Sequence, residues 1–259
     1  MSNLPTPRLV ALLGSPDPHE RDEVAYTELA RRIADGDEDH ALGRIGDLMA
    51  ARFSDPEIQA RTFAALILAG VVDRDRVTNM AGQSSVTRWR DAFAAWYRSE
   101  EDLRGWDDRL GWLHAIAHGA DALGALGRSP RLGPDDLTGL LALGRDRLLT
   151  GTDVVFANQE DDRLAYAIAL VLTRQELEAH QITGWLEGIS ERLAASEGGP
   201  VPAWASNTMR TLRMLYVMAD RGVRLPDTKA GGPIVAIAHS VDLRTALADV
   251  LRLSWPYLG

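Results

Sequence analysis

Apolar residues recur at intervals of three or four positions along most of this chain, the spacing that favours helices with one buried face. Trp89, Phe93 and Trp96 follow this spacing within residues 85–99, for example. The sequence offers no segment with the apolar–polar alternation expected of a half-buried strand. The pattern therefore predicts an all-α protein with negligible sheet.

Capping signals and helix breakers indicate where individual helices begin and end. Residues 173–176 form a capping box, which predicts one long helix that continues to about Ser196. In the middle of the chain, the pattern predicts a helix from about Asp107 or Asp108 to about Gly127. Asn207 and Arg210 lie one turn apart on a further predicted helix, where the pair is suited to binding a ligand, but we favour a solvated helix face.

An internal similarity suggests how the helices are arranged. Residues 115–118 (AIAH) recur as residues 236–239, and the same offset aligns Asp121 with Asp242. His239 is then expected to be a packed position of a repeat. Chance similarity between alanine-rich helices is the other interpretation. A repeat predicts stacked antiparallel helix pairs, a HEAT-like α-solenoid, in a single all-helical domain over residues 1–259.

The central stretch, residues 111–121 (GWLHAIAHGAD), carries the most distinctive polar pattern. On one helix, a step of four residues turns about 40° and a step of seven returns to nearly the starting direction. His114, His118 and Asp121 would then share one stripe. Two imidazoles and one carboxylate are a ligand set for a divalent metal, either Zn or Fe.

Two other interpretations of this stripe stay open. The side chains are also suited to binding a small polar ligand, with Trp112 and Tyr26 as further ligand-binding candidates, and Trp106 flanks the same motif. In the structural interpretation, the stripe is a polar seam between packed helices. A single helix spreads its ligands along its axis, so a compact metal shell needs ligands from elsewhere.

A second polar cluster opens a later predicted helix with Glu160, Asp161 and Arg163. Negative charge is favoured at a helix start by the helix dipole, which is sufficient to explain the acidic residues. The functional hypothesis is that Glu160 or Asp161 acts as a general base or an extra ligand beside the central histidines, with Arg163 orienting a carboxylate. We then expect the two clusters to line one cavity.

Composition limits the function classes. The 259 residues carry a formal net charge of −9. This charge argues against a nucleic-acid partner, because a protein that binds the phosphate backbone needs a basic face. The absence of cysteine excludes disulfides and thiolate chemistry. The longest apolar run is too short for a membrane span, and the first residues lack a signal-peptide pattern. We therefore expect a cytoplasmic protein.

Several motifs resemble an uncharacterised bacterial family, the domain of unknown function 2785. The similar segments are residues 21–23 with Tyr26, residues 111–121 and residues 160–165. The resemblance spans most of the chain and implies an all-helical domain, without an activity to carry over. The helical pairs are also similar, more distantly, to those of HEAT-like enzymes.

Together these patterns support two hypotheses for function. The first is a small-molecule or metal site centred on His114, His118 and Asp121, in a metal-dependent hydrolase or oxygenase if the protein is an enzyme. The second is a non-catalytic helical scaffold that binds a protein partner or sequesters a metabolite. The sequence predicts no oligomeric state.

Overall fold

A computed structural model describes residues 4–196, 199–226 and 231–258. The contacts divide the chain into two compact units, Met1–Arg131 (unit 1) and Leu132–Gly259 (unit 2). Most of the described residues are helical, which confirms the prediction of a mainly α protein. The division into two units does not test the prediction of a single domain, which stays a prediction.

Unit 1 contains helices α1 to α6, a π-helix and a short 3₁₀ turn. In chain order these are α1 (Thr6–Leu12), the π-helix (His19–Tyr26), α2 (Thr27–Asp35), the 3₁₀ turn (Asp39–Ala41), α3 (Leu42–Arg52), α4 (Ile58–Thr78), α5 (Gln83–Ser99) and α6 (Ala115–Arg128). The core lies between α4 and α6, both of which are buried over most of their length.

Unit 2 contains six further helices, α7 to α12. These are α7 (Pro134–Leu149), α8 (Glu160–Leu172), α9 (Ala179–Gly184), α10 (Glu187–Ala194), α11 (Ala203–Arg221) and α12 (Ser240–Ser254). Helix α11 packs against α7, α8 and α12 and forms the centre of this unit. In the part of the chain that the structure describes, there is no helix long and apolar enough to cross a membrane.

Each unit also holds one small antiparallel ribbon, which the sequence did not predict. In unit 1, β1 (Trp106–Asp107) pairs with β2 (Gly111–Trp112). In unit 2, β3 (Val223–Arg224) pairs with β4 (Ile234–Val235). Strands of two residues are too short to show an alternating pattern, so hydrophobic periodicity does not predict them.

The central helix begins later than predicted, at Ala115 rather than near Asp107 or Asp108. The Asp107 carboxylate accepts the backbone N–H groups of Arg109 and Leu110 at 3.0 and 2.9 Å, and Gly111 has a φ of +71°. These local bonds close a turn and compete with the helical hydrogen bonds. Residues predicted to form the first turns of the helix therefore form the hairpin of β1 and β2.

The long helix predicted from residue 173 to about Ser196 is instead two short helices, α9 and α10. A second capping interaction restarts the chain inside the predicted helix, because the Gln181 side chain accepts the Glu178 N–H at 2.9 Å. Thr173 is instead the C-cap of α8, where its hydroxyl donates to the Leu170 carbonyl, and the capping box of Glu178 and Gln181 begins α9.

The internal similarity has a different register in the structure. The residue equivalent to His239 is His114, not His118, because both adopt φ 48° and ψ 40° immediately before a helix that follows a hairpin. His239 is exposed, so the expectation that it is a packed repeat position is wrong.

Candidate functional site

His114 occupies the turn that joins the hairpin to α6. Its backbone is left-handed, a conformation in which histidine is among the more frequent non-glycine residues. The N–H groups of Leu113 and His114 both donate to the carbonyl of Gly105, at 2.9 and 3.2 Å. The His114 carbonyl in turn accepts the N–H of His118 at 2.8 Å. These bonds fix the two histidines one turn apart at the start of α6.

A continuous series of ring contacts passes through the two imidazoles. The ring centroid of His114 lies 4.4 Å from that of Trp112 and 5.5 Å from that of His118. The His118 ring then contacts Phe63 edge to face at 5.1 Å, and Phe63 contacts Tyr26 at 5.8 Å. Four of the predicted ligand-binding residues are therefore brought together by the structure, with Phe63 between them. We call these five residues the ring cluster.

The ring cluster extends from the interior to the surface. His114 and His118 are 8% and 5% exposed, whereas Trp112 is 40% exposed. Trp106, the cross-strand partner of Trp112, is 49% exposed and contacts it edge to face at 4.8 Å. A pair of exposed indole rings thus lies directly beside two buried imidazoles.

Arg21 connects the π-helix to this hairpin. Its guanidinium donates to the carbonyl of Leu110 at 2.7 Å and to the carboxylate of Asp22 at 2.7 Å, and it lies 4.8 Å from the Phe63 ring centroid. The side chain is fully buried. It therefore positions the hairpin against the ring cluster from inside the core.

The π-helix that carries Arg21, Asp22 and Tyr26 is itself unusual. The N–H of Thr27 donates to the carbonyl of Asp22, five residues earlier, as in π-helical geometry. Such segments are rare and are frequent at functional sites. Burial raises the pKa of the Asp22 carboxyl, while the hydrogen bond and charge of Arg21 act in the opposite direction.

The third member of the predicted metal set, Asp121, is half-buried on α6. Because His114 precedes α6 with a left-handed backbone, the predicted stripe of three residues on one helix is wrong. Within residues 4–196, 199–226 and 231–258, no group of three or more His, Asp or Glu side chains is arranged to hold a metal ion. A metal at His114, His118 and Asp121 stays a prediction.

The predicted acidic cluster lies in unit 2. Glu160 is 2% exposed and its carboxylate accepts the N–H of Asn158 at 2.7 Å, as expected at a helix start. Asp161 forms an ion pair with Arg210 of α11 at 2.7 Å. Arg163 lies on the same first turn of α8, and its N–H donates to the carbonyl of Gln159. These contacts assign Glu160 and Asp161 a part in holding the start of α8.

The expectation that Asn207 and Arg210 face solvent is wrong for Asn207, whereas the Arg210 side chain is 36% exposed. Asn207 is 1% exposed, accepts the N–H of Phe156 at 2.9 Å and donates to the carbonyl of Val154 at 2.9 Å. Arg210 donates to the Phe156 carbonyl and pairs with Asp161. The two side chains fix the irregular segment before α8, a role that spacing along the helix does not reveal.

Glu160, Asp161 and Arg163 belong to unit 2, whereas His114 and His118 belong to unit 1. The shared cavity between these clusters, and with it the catalytic role of the acidic residues, stays a prediction. Phe63 is the member of the ring cluster that the sequence did not single out. It lies in an apolar run, where nothing distinguishes a phenylalanine that contacts an imidazole from one that fills the core.

The fold and site define a mainly helical protein with a buried histidine pair behind an aromatic hairpin. The family model described as "Protein of unknown function (DUF2785)" matches residues 49–217, which is more than half of the chain. The chain therefore belongs to this family. The match includes the hairpin and α6 but begins after the π-helix. No curated protein and no solved structure matched the chain.

Proposed function

We propose that unit 1 binds a small polar molecule at His114 and His118, with the exposed faces of Trp106 and Trp112 holding a flat part of the ligand. The observation that carries this proposal is the contact of two buried imidazoles with each other and with an exposed tryptophan pair. Imidazoles supply hydrogen-bond donors and acceptors, and indole faces supply apolar contact. This combination is typical of small-molecule sites.

The backbone at His114 gives additional support. A left-handed non-glycine residue costs about 1–2 kcal/mol and persists where the surrounding structure favours it. At His114 this conformation holds an imidazole between Trp112 and His118. The position of the His114 imidazole in the ring cluster therefore depends on a backbone conformation that costs free energy, as is frequent at binding sites.

The enzymatic form of this proposal is a metal-dependent hydrolase or oxygenase. Both imidazoles suit Zn or Fe, and Asp22 or Asp121 would supply a carboxylate from the same unit. In this form, a metal would activate water or oxygen and the two histidines would hold it.

Further properties belong to the same proposal. We propose a HEAT-like stacking of the helix pairs, which is supported by the packing of α3 against α4 and of α8 against α11. We also propose a cytoplasmic protein of bacterial origin without a nucleic-acid or membrane partner, and the net charge of −9 supports the absence of a nucleic-acid partner.

A binding screen tests the proposal. Metal-free protein is screened by thermal shift against Zn²⁺, Fe²⁺ and a panel of polar metabolites that includes carboxylates, nucleosides and amines. The His118→Ala variant is screened in parallel, with His180→Ala as the control because His180 is an exposed histidine of unit 2. We expect at least one compound or metal to stabilise the wild type and the control but not His118→Ala.

The screen also distinguishes the alternatives. Stabilisation by an organic compound alone supports the ligand site, and stabilisation that requires Zn²⁺ or Fe²⁺ supports the metal-dependent form. If nothing stabilises the wild type and His118→Ala only lowers the melting temperature, the binding proposal is wrong. The non-catalytic scaffold is then the remaining hypothesis.

A further inference from the structure

A second candidate site lies in unit 1, in a groove between α1 and α3. Two adjoining cavities of about 370 and 380 Å³ form this groove. They share Pro7, Val10 and Leu48 as lining residues, so one continuous depression runs along α3. We call it the α1–α3 groove.

The middle of the groove is apolar. Pro7 and Val10 come from α1, and Leu48 comes from α3. Leu48 is 40% exposed, so its side chain presents apolar surface to the groove. The middle of the α1–α3 groove thus offers apolar contact to an extended ligand.

Each end of the groove carries an arginine from the same helix. Arg44 lines the first cavity, together with His40, and Arg52 lines the second. Arg44, Leu48 and Arg52 are spaced by four residues, so they follow one another along one side of α3. The step of eight residues from Arg44 to Arg52 corresponds to about 12 Å along the helix axis.

Neither guanidinium is committed to a carboxylate ion pair. Among the residues that the structure describes, Arg44 has no hydrogen bond or ion pair, and the buried Nη1 of Arg52 has no hydrogen-bond partner. Burial lowers the pKa of Arg52, and the nearby charge of Asp55 opposes this effect only in part. Arg44 and Arg52 thus both line the groove without a carboxylate ion pair to any described residue.

The carboxylates that line the groove already have partners. Glu38 accepts the hydroxyl of Thr6 and lies 4.0 Å from Arg32. Asp55 accepts the N–H of Glu57 at 3.0 Å. In the part of the chain that the structure describes, neither carboxylate forms an ion pair with a groove arginine, so the two guanidiniums line the ends of the groove without a carboxylate partner.

We propose that the α1–α3 groove binds an elongated amphipathic dianion, an unbranched aliphatic chain with a carboxylate at each end. One carboxylate pairs with Arg44, the other pairs with Arg52, and the chain covers Leu48 and Val10. A ligand with a single carboxylate leaves one arginine without an anionic partner, so both carboxylates of the dianion contribute to affinity. We infer this class of ligand only from the two arginines of the groove and from the distance between them along α3.

Isothermal titration calorimetry with three probes of equal chain length tests the proposal. Dodecanedioate carries two carboxylates, dodecanoate carries one and dodecanediol carries none. All are titrated into the full chain at concentrations below micelle formation. We expect dodecanedioate to bind at least about tenfold more tightly than dodecanoate, because a charge-assisted hydrogen bond is lost with each carboxylate. Equal binding of all three probes would overturn the proposal.

Variants assign the binding to the groove. Arg44→Gln and Arg52→Gln should each weaken dodecanedioate binding about tenfold. Arg88→Gln is the control, because Arg88 is an exposed arginine of α5 outside the groove. Unchanged affinity in both groove variants, or an equal loss in Arg88→Gln, would contradict the proposal. His118→Leu should still bind dodecanedioate, so a failure of the ring-cluster site and a failure of the groove are distinguishable.

Discussion

The two units contain the same local structure, a hairpin followed by a left-handed histidine and a helix, but the histidine is buried in one unit and exposed in the other. In each, a two-stranded ribbon is followed by a histidine at φ 48° and ψ 40°, and a helix begins at the next residue. In unit 1, His114 is buried against Trp112 and His118. In unit 2, the His239 side chain is 42% exposed and lies 3.8 Å from Asp242.

The difference arises from the neighbours of each histidine and not from its backbone. One turn after His114 stands His118, whereas one turn after His239 stands Leu243, which is completely buried. Leu243 fills its site without offering a polar group. The comparison teaches that the left-handed turn sets the position of the imidazole, and that the second histidine makes the position useful for binding.

The close packing behind the histidine pair gives the largest expected effect. A Cβ added at Gly119 would meet the Tyr97 ring at 2.1 Å, and this ring is buried. The equivalent position of α12 holds Arg244, which binds Asp220. Gly119→Ala should therefore lower the free energy of unfolding by about 3 kcal/mol, measured by urea denaturation.

Gly139→Ala is the matched control, because Gly139 is an exposed helical glycine of α7 with open space around it. This change should raise the free energy of unfolding by about 0.5–1 kcal/mol. A loss below about 1 kcal/mol for Gly119→Ala would show that the packing behind the site adapts easily.

A glycine at the left-handed turn separates the two histidines. Glycine relieves the backbone cost at both positions, but at His114 it also removes a buried ring. His114→Gly should lower the free energy of unfolding by about 2 kcal/mol, whereas His239→Gly should raise it by up to about 1 kcal/mol. Equal effects in chemical denaturation would mean that burial of His114 contributes nothing.

His118→Leu gives unit 1 the residue pair found in unit 2. Leucine replaces a buried imidazole by an apolar side chain of similar size, so the free energy of unfolding should change by about 1 kcal/mol or less. The screen that finds a stabilising compound for the wild type should find none for this variant. Retained stabilisation by that compound would place its site outside the ring cluster.

An acid titration gives the smallest expected effect and compares ion pairs of the two units. Hydrogen bonds from Arg31 and Arg32 lower the pKa of Glu28 in unit 1 from its ordinary value of 4.5 to about 2. Arg174 lowers the pKa of Glu176 in unit 2. A lowered carboxyl pKa stabilises the fold above the ordinary pKa, and this stabilisation is lost as pH falls through the folded value.

Glu28→Gln should therefore remove part of the acid dependence of stability. Between about pH 4.5 and pH 2, the melting temperature of the wild type should fall more steeply than that of Glu28→Gln. Glu176→Gln should differ less from the wild type, since Glu176 is half exposed. Parallel melting curves for the wild type and Glu28→Gln would contradict the role given to Arg31 and Arg32.

Periodicity predicts most of the helices, but it does not predict where each helix begins and ends. The apolar spacing around Trp89 and Phe93 led directly to α5, because burial of one face dominates a helix of that length. The hairpin before α6 depends on single interactions, such as the Asp107 carboxylate with the N–H of Leu110. Such bonds compete with the helix locally, and composition does not decide the outcome.

The candidate site was predicted in part for a related reason. His114, His118, Trp112 and Tyr26 are recognisable from residue type and motif. The structure joins them in one series of ring contacts, in which Phe63 lies between His118 and Tyr26. Their geometry was predicted as one helical stripe, whereas the ring contacts arise from three separate segments. Contacts between distant segments depend on packing, which a single sequence does not encode in any local pattern.

The most direct test of the central claim is the response of the histidine ring resonances to ligand. Protein labelled at histidine is recorded by two-dimensional NMR before and after addition of the compound or metal with the largest thermal shift. We expect the ring signals of His114 and His118 to move in the wild type while those of His239 stay unchanged. Unchanged signals at both His114 and His118, or a change confined to His239, would contradict the account.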